Sequence, residues 1–564
     1  QKIPFYIANS WRMKASNQMV LCVFYVVTYM RHTSNLELAV KFASEHLSPP
    51  LSLDLKKVFW NVETEQYSTI KESLDAYLVT WKKWNPEFIE AFHLIESSLY
   101  EGDKTRRIEM LDKSLNVMLD GTYEKMLHYA QNLKGPITML HMLGVILPIL
   151  GMVILPLMVS FVCQVKWFHL MALYNMALPA GVYFLARNIL ATRPTGYGSS
   201  DPGDNPALRK FNNLIFHIGG KEILLKPLYV AAIVGVTLFL LGFAPLVIHG
   251  VTGGNWDAII HNEGGFRIAS TAADPNAKIS FLGYQIGKGC SGVGVGEQLG
   301  PYGIGASLFS LFVTMGITLG FGLYFKLRAK NVIEIRNKSK KLEDEFASAL
   351  FQLGNRLGDG LPAEIAFGRV GESMQGTVSG EFFNAVSNNI TRLGMSVEEA
   401  VFDKEHGALL SYPSNLIESS MKVLTESARK GPKIAARALI NISRYIKEIH
   451  KVNERLKDLM ADIVASMKSQ IKFLTPAIAG IVIGITTMIT TILGKLGNQL
   501  SKISAAGGGG SGGGLLALFG DSIPPFYFQV VVGIYVIQII YILTIVTNGI
   551  ENGSDPLSQR YMVG

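Results

Sequence analysis

Long apolar runs alternate with long polar runs along this chain, and six apolar runs approach or exceed the roughly 20 residues that cross about 30 Å of hydrocarbon. They are Ile137–Val162, Phe168–Ile189, Leu228–Ile248, Tyr302–Phe325, Phe473–Leu493 and Phe526–Thr547. The two long polar runs are rich in helix formers and carry apolar residues at helical spacing, as in LDKSLNVMLDGTYEKMLHYA from Leu111. The pattern predicts an all-α polytopic membrane protein with about six transmembrane helices and two helical bundles outside the bilayer.

These runs divide the chain into modules, spans and loops. A helical module at 1–135 precedes a transmembrane hairpin at 136–190, a cytoplasmic loop at 191–227, a transmembrane helix at 228–249, an outer loop at 250–301 and a transmembrane helix at 302–326. A second helical module at 327–472 precedes a transmembrane helix at 473–494, a glycine-rich outer linker at 495–525, a transmembrane helix at 526–548 and a tail at 549–564. Basic residues concentrate at the module ends of the spans, so the positive-inside rule places both modules and both termini in the cytoplasm of a multi-pass cell-membrane protein.

Composition narrows the class of protein further. Hydrophobic residues make up 49% of the chain and charged residues 17%, with a mean hydropathy of +0.27, which excludes a disordered or collagen-like chain. The net charge of +8 is attributed to Lys and Arg residues that hold loops in the cytoplasm. Nucleic-acid binding is not predicted, because no basic stripe is interleaved with aromatic residues. Cys22, Cys163 and Cys290 lie far apart, so they predict neither a disulfide framework nor a zinc site.

The two polar modules align with each other at one offset. A shift of 327 residues places the stretch from Val23 on the stretch from Leu350 and pairs Glu37 with Glu364. The same shift places the stretch from Asp54 on that from Glu381, and a three-residue adjustment then pairs ESSLYEG, Glu96–Gly102, with ESARKG, Glu426–Gly431. Each match is followed by a long helical stretch that leads into a span. The alignment predicts a duplicated unit of a helical module and a span.

Two helical modules that each run into transmembrane segments resemble the type II secretion system F domain. The stretches RPTGYGSSD (Arg193–Asp201), IPPFYFQVVVGIYVIQIIYILT (Ile523–Thr544) and IENGSD (Ile550–Asp555) are similar to archaeal members, the archaellum assembly proteins of the FlaJ (ArlJ) type and the TadC-like pilus proteins. GLPAEIAF (Gly360–Phe367) resembles the family's glycine-broken helix pair, whereas the first module has TSNLELAV there and is more diverged.

The resemblance implies a membrane platform that is not an enzyme and that has no cofactor. Such a platform couples a cytoplasmic hexameric secretion ATPase to the insertion of pilin-like or archaellin-like subunits into a filament. The alternatives are a polytopic transporter or permease, and the platform of a related type II secretion or uptake machine. No acidic or basic pair lies in the middle of a predicted span, which argues against a transporter.

The chain offers no motif for its own nucleotide or peptide chemistry. GYQIGKG, Gly283–Gly289, lacks the spacing and the Ser or Thr of a phosphate loop. Asp521 precedes the last span with Leu518 where an intramembrane aspartyl protease would need glycine, and no HExxH occurs, so no metal site is predicted. Hydrolysis is therefore assigned to a partner ATPase.

Two charged turns at matching positions of the modules are the predicted contact surface for that ATPase, because transient contacts favour complementary charge. The alternative is a solvated helix face. The residues are Glu101, Asp103, Lys104, Arg106 and Arg107 in the first module and Glu426, Arg429, Lys430 and Lys433 in the second.

Smaller features give expectations about packing. Pro148 and Pro156 are expected to bend the first span and to free carbonyls that a neighbour satisfies. Glycines in two spans are expected to let helices approach closely, within the chain or in a homodimer: Gly316, Gly320, Gly322, Gly480, Gly484 and Gly494. His141 and His169 are expected at membrane boundaries, a hairpin is expected between Arg267 and Ile286, and Gly507–Gly514 is expected to be a flexible tether.

Overall fold

The computed structural model describes residues 2–564 apart from 162–166, 194–211, 219–220, 254–255, 262–265, 269–276, 287–297, 429–430, 507–522 and 554. The tether at Gly507–Gly514, Asp521 and most of the RPTGYGSSD stretch lie outside the described residues. About 83% of the structure is helical, which confirms an overwhelmingly α-helical chain.

The first module and the first two apolar segments are helices joined by short turns. In chain order they are α1 (Lys2–His32), α2 (Leu36–His46), α3 (Leu51–Glu63), α4 (Ile70–Val79), α5 (Pro86–Ser97), α6 (Lys104–His141), the π-helical segment π1 (Met142–Ile146), α7 (Leu147–Phe161), α8 (Trp167–Ala172), π2 (Leu173–Ala177) and α9 (Leu178–Ala191). Asn35, Thr69 and Asp103 start α2, α4 and α6, because each side chain accepts a hydrogen bond from a backbone N–H of the first turn.

Short strands flank the next apolar helices. β1 (Leu214–Ile218) pairs antiparallel with β2 (Lys221–Leu225) before α10 (Pro227–Gly242) and α11 (Ala244–Thr252). β3 (Ala258–His261), β4 (Phe266–Ile268), β5 (Ala277–Ser280), β6 (Gln285–Ile286) and β7 (Gln298–Leu299) follow. The expected hairpin between Arg267 and Ile286 is wrong, since β3 lies between β4 and β5 and pairs with both, while β6 pairs with β7.

The second half is again helical. It contains α12 (Ile304–Gly358), α13 (Ala363–Ser373), α14 (Val378–Leu393), α15 (Val397–Phe402), a 3-10 turn (Ala408–Leu410), α16 (Asn415–Ala428), α17 (Pro432–Ser469), π3 (Gln470–Leu474), α18 (Thr475–Ala506), α19 (Pro525–Asn552) and α20 (Pro556–Val563). Phe346, Phe367, Phe382 and Phe383 are fully buried and form the aromatic centre of this module.

Within the described residues, five helices are long and apolar enough to cross a membrane, which confirms a multi-pass membrane protein. They are Lys104–Leu155, Trp167–Ala191, Ile304–Gly358, Pro432–Ile492 and Pro525–Asn552. The predicted span Leu228–Ile248 is a pair of helices, α10 and α11, that bend by 50°. Pro245 lies in the first turn of α11 and has no N–H to continue the hydrogen bonding of α10, which accounts for the break. Counting the bent pair as one span gives six.

Each π-helical segment in the described chain precedes a proline. π1, π2 and π3 end two residues before Pro148, Pro179 and Pro476. Proline cannot donate to the carbonyl four residues earlier and its ring clashes with that carbonyl, so the helix widens by one residue at this point. The expected bend at Pro148 therefore takes the form of a π-bulge.

The glycines of α12 and those of α18 have different surroundings. A Cβ on Gly316 would lie 2.8 Å from the carbonyl oxygen of Gly235 on α10, and Gly320 faces the same residue, so glycine is needed where α10 crosses α12. Gly480 and Gly484 on α18 have open space around them. The expectation of close helix approach within the chain is confirmed for Gly316 and Gly320 on α12. Gly480 and Gly484 have no such neighbour within the chain, so for them close approach in a homodimer stays a prediction.

Candidate functional site

The charged turn before α6 combines structural and exposed residues. Asp103 caps α6 by accepting hydrogen bonds from Thr105 N at 3.3 Å and Arg106 N at 3.2 Å. The guanidinium of Arg107 donates to Ser34 Oγ in the turn between α1 and α2. Lys104 and Arg106 are exposed to solvent, and Glu101 is half-buried. Two of the five predicted residues thus hold the turn in place, and Lys104 and Arg106 present their charge outward.

The charged turn before α17 is described in part. Arg429 and Lys430 lie outside the described residues. Glu426, near the end of α16, and Lys433, in the first turn of α17, are exposed to solvent. Gly431 has a φ of +114°, a conformation that glycine adopts far more readily than other residues, so it ends the turn immediately before α17.

The first turn and the helix that precedes the second turn both contact the region of α1. Arg107 reaches Ser34, two residues past the end of α1. α16, which ends at Ala428, packs against α1 itself. Burial raises the pKa of the Tyr29 phenol on α1, and the negative charges of Glu426 and Glu45 raise it further.

A partly buried hydrogen-bonded cluster joins the two modules. Arg31 Nη2 on α1 donates to Asp112 Oδ2 on α6 at 2.6 Å, and the hydroxyl of Tyr445 on α17 donates to Asp112 Oδ1. The Arg31 guanidinium carbon lies 5.2 Å from the centre of the Tyr445 ring. The Arg31 side chain is only 6% exposed, and the Asp112 carboxylate, which is 29% exposed, supplies its counter-charge. The Arg31–Asp112–Tyr445 cluster links both long helices to α1.

Three polar side chains of α19 form hydrogen bonds with neighbouring apolar helices, and we call them the polar axis: Gln529, Tyr535 and Gln538. The hydroxyl of Tyr535 donates to the Gly144 carbonyl of π1 at 2.7 Å, and the side-chain amide of Gln538 donates to the Asn175 carbonyl of π2 at 3.2 Å. Gly144 and Asn175 each precede a proline by four residues, so α19 satisfies the carbonyls that Pro148 and Pro179 leave without their usual donor. Gln529 Nε2 donates to Thr487 Oγ1 at 3.2 Å, which ties α19 to α18.

Two ion pairs join the segment before the last helix to the second module. Arg336 Nη1 and Asp555 Oδ2 form an ion pair at 2.7 Å, with both side chains less than one-tenth exposed. Lys468 and Glu551 form a second pair at 2.8 Å. These pairs tie the C-terminal segment to the second module. The Arg31–Asp112–Tyr445 cluster ties the first module to the second.

Two histidines in apolar segments have different surroundings. His169 is exposed and its ring contacts Phe168, and its position at a membrane boundary stays a prediction. His141, at the end of α6, is only 6% exposed, and both of its ring nitrogens are buried without a hydrogen-bond partner in the described structure. The expectation that His141 is an interfacial side chain is therefore wrong, because the protein itself covers it.

Sequence reasoning missed the residues that join the modules and the spans. Asp112 and Tyr445 are 333 positions apart, and each lies in an ordinary helical pattern, so no local signal pairs them. Tyr535 and Gln538 had a usable signal, because two polar side chains three residues apart in an apolar span indicate partners on neighbouring helices. Among the described residues, one His, Asp and Glu group has the arrangement of metal ligands: Asp75, His93 and Glu96.

Comparisons of this chain with protein-family models, with curated proteins and with solved structures gave no match.

Proposed function

We propose that this protein is the membrane platform of an archaeal type IV pilus-like or archaellum machine. In this role its two cytoplasmic modules receive movement from a hexameric secretion ATPase, and its spans pass that movement to pilin-like subunits that leave the bilayer for a filament. The protein itself needs no catalytic residue. Its contribution is mechanical, through rigid helices that connect a cytoplasmic contact surface to the membrane.

The observation that carries the proposal is the correspondence between the two halves. α2 spans Leu36–His46 and α13 spans Ala363–Ser373, so both ends are separated by 327 residues. α6 and α17 begin 328 residues apart, and so do π1 and π3. This agreement supports a duplicated unit in which a charged turn begins a long helix, the helix carries a proline-linked π-bulge, and an apolar helix follows.

The long helices suit the transmission of force. The helical run Lys104–Leu155 contains 52 residues and Pro432–Ile492 contains 61. At about 1.5 Å per residue they extend roughly 80 and 90 Å, long enough to cross a bilayer and project well beyond it. The Arg31–Asp112–Tyr445 cluster holds the two helices together near their membrane-distal ends, so a push on either charged turn acts on both.

A transporter is the competing proposal, and the polar axis on α19 is the feature that it would use. Tyr535, Gln538 and Gln529 each make a hydrogen bond to another helix. Such bonds are typical of helix packing in a membrane. These three hydrogen bonds are therefore accounted for by helix packing, without a solute.

Affinity capture of the tagged full chain from its native-like membrane, in mild detergent, tests the proposal. Quantitative mass spectrometry should recover a secretion-type ATPase together with pilin-like or archaellin-like subunits, at levels above those from a mock-tagged membrane. Recovery of secreted substrates without pilins would assign the chain to a related secretion or uptake machine. Repeated recovery of neither partner, with specific binding of a small solute, would overturn the platform assignment in favour of the transporter.

A further inference from the structure

Three metal-ligand side chains converge between consecutive helices of the first module. Asp75 lies on α4, and His93 and Glu96 lie one turn apart on α5. One donor atom from each residue lies within 4.8 Å of the other two, and His93 Nδ1 is 3.6 Å from Glu96 Oε2. Positions separated by three residues share one face of a helix, so α5 presents both of its donors toward α4.

The carboxylates in this group lack the partners that buried oxygens normally have. The Glu96 side chain is only 6% exposed, and its Oε1 is buried without a hydrogen bond. Asp75 Oδ1 is likewise buried without a partner. Two carboxylates that face each other out of water are stabilised by a cation between them.

Lys71 supplies only part of that positive charge. Its ammonium makes a hydrogen bond with the Tyr100 hydroxyl at 3.1 Å and lies 4.9 Å from the centre of that ring. The structure shows no hydrogen bond from this ammonium to Asp75 Oδ1 or Glu96 Oε1, both of which are buried without a partner. The two orphaned oxygens therefore remain available to a ligand.

We propose that Asp75, His93 and Glu96 bind a divalent transition-metal ion of the Zn²⁺ type, which bridges α4 and α5. One imidazole nitrogen with two carboxylates suits zinc, whereas Mg²⁺ and Ca²⁺ favour all-oxygen ligands. Bond lengths of about 2.0–2.2 Å place tetrahedral donors roughly 3.4 Å apart, close to the His93–Glu96 separation of 3.6 Å. Asp75 completes the set by side-chain rotation, and a fourth position stays open to water.

The position of the site gives the ion an entry path and a structural effect. The His93 side chain is 58% exposed, so an ion reaches the group from solvent. α5 ends at Ser97, and the charged turn Glu101–Arg107 follows directly. An ion that fixes the end of α5 to α4 restrains this turn. The site belongs to the first module, because the register that pairs Glu96 with Glu426 pairs His93 with Val423.

Zinc binding to the purified full chain tests this site independently of any filament partner. The protein carries an affinity tag without histidine, is freed of metal with a chelator, and is titrated with Zn²⁺ by calorimetry and equilibrium dialysis. His93→Ala and Glu96→Gln are the site variants. His406→Ala is the matched control, because His406 Nδ1 also lies near a carboxylate three residues away, at 3.7 Å from Asp403 Oδ2, but in the second module.

Wild type and the His406→Ala control should bind about one Zn²⁺ per chain, and each site variant should weaken that binding by at least about tenfold. Excess Mg²⁺ or Ca²⁺ should not displace the zinc. Zinc should also raise the unfolding temperature of wild type and of the control but not that of His93→Ala, because an ion that binds only the folded state stabilises it. Equal zinc binding by wild type and His93→Ala, or no saturable binding by wild type, would overturn the proposal.

Discussion

For single residues, the contact between the two modules depends on a buried arginine and its partly exposed counter-charge. The Arg31–Asp112–Tyr445 cluster places a guanidinium, a carboxylate and a phenol in one hydrogen-bonded group. Burial raises the pKa of the Tyr445 phenol, so its hydroxyl keeps its proton and donates to Asp112. Each member satisfies another, and the loss of one leaves a buried polar group without a partner.

We expect Asp112→Asn to lower the free energy of unfolding by roughly 2 kcal/mol, because it removes the counter-charge of a buried arginine. The measurement is denaturant-induced unfolding in detergent. Asp120→Asn, an exposed position of the same helix, is the control and should leave stability within about 0.5 kcal/mol. Combining Asp112→Asn with Tyr445→Phe should be clearly non-additive. Equal stability of the two single Asp variants would show that the cluster does not hold the modules together.

His46 gives the first module a dependence on pH. Its Nδ1 lies 2.6 Å from the Phe42 carbonyl and its ring stacks on Phe42, while Nε2 is buried without a partner. Burial lowers the pKa of His46, and Lys422 lowers it further, whereas the Phe42 carbonyl and the charges of Glu418 and Glu45 raise it less than burial lowers it. The folded module therefore holds the imidazole neutral.

Stability should fall as the pH drops below about 6.5, because the unfolded imidazole then takes up a proton that the folded one resists. The difference in unfolding temperature between about pH 7.5 and 5.5 should be smaller in His46→Gln than in wild type. Comparing the two pH values within each variant removes any baseline loss of stability. An unchanged pH difference in His46→Gln would contradict the assigned role of His46.

At the scale of elements, prolines and glycines decide how the apolar helices meet. Pro148, Pro179 and Pro476 each follow a π-helical segment, and α19 donates hydrogen bonds to the carbonyls freed by the first two. Where α10 crosses α12, the backbones approach so closely that side chains are excluded on both helices. Helix packing in the apolar layer thus depends on backbone groups as much as on side-chain volume.

Gly316→Ala should destabilise the crossing of α10 and α12 by roughly 1–3 kcal/mol, because the added methyl group meets the backbone of Gly235 and Phe239 at less than 3 Å. Gly480→Ala is the matched control, since open space surrounds that position and alanine favours a helix. Thermal unfolding in detergent should order the proteins as Gly480→Ala, at or above wild type, and then Gly316→Ala. Equal midpoints for both variants would contradict the close approach of α10 and α12.

The helical modules were predictable from the sequence because apolar residues recur at helical spacing in both. The β1–β2 hairpin was also within reach, because Gly219 and Gly220 separate two apolar runs. The hairpin was not predicted, because residues 191–227 were assigned to a cytoplasmic loop. The order of β4, β3 and β5 could not be derived, since strand pairing depends on which edges meet in space.

Part of the candidate site was also predictable from the sequence, and part was not. Charge and repeat register identified the turns at Glu101–Arg107 and Glu426–Lys433. The position of the first turn beside the end of α1 depends on the contact of Arg107 with Ser34, which links distant parts of the chain. The Arg31–Asp112–Tyr445 cluster and the Asp75, His93 and Glu96 group likewise arise from packing between helices, which one sequence does not encode in any local pattern.

At the scale of the whole molecule, the proposed platform has its contact surface and its apolar layer at opposite ends of long helices. Lys104 and Arg106 are exposed in the first charged turn, and Lys433 is exposed in the second. Asp103 and Arg107 are engaged in holding the first turn, so reversing their charges would confound contact with folding. The exposed residues are the ones on which a partner's complementary charge would act.

The double variant Arg106→Glu with Lys433→Glu tests the central claim most directly. Lys56→Glu with Lys404→Glu is its control, with the same change of charge at one exposed lysine in each module away from the turns. The measurement is the amount of secretion ATPase that co-purifies with each tagged protein, relative to the amount of platform recovered. ATPase recovery should be at least about tenfold lower for Arg106→Glu with Lys433→Glu than for wild type and the control. Recovery equal to that of the control would contradict the assignment of the charged turns as the ATPase contact.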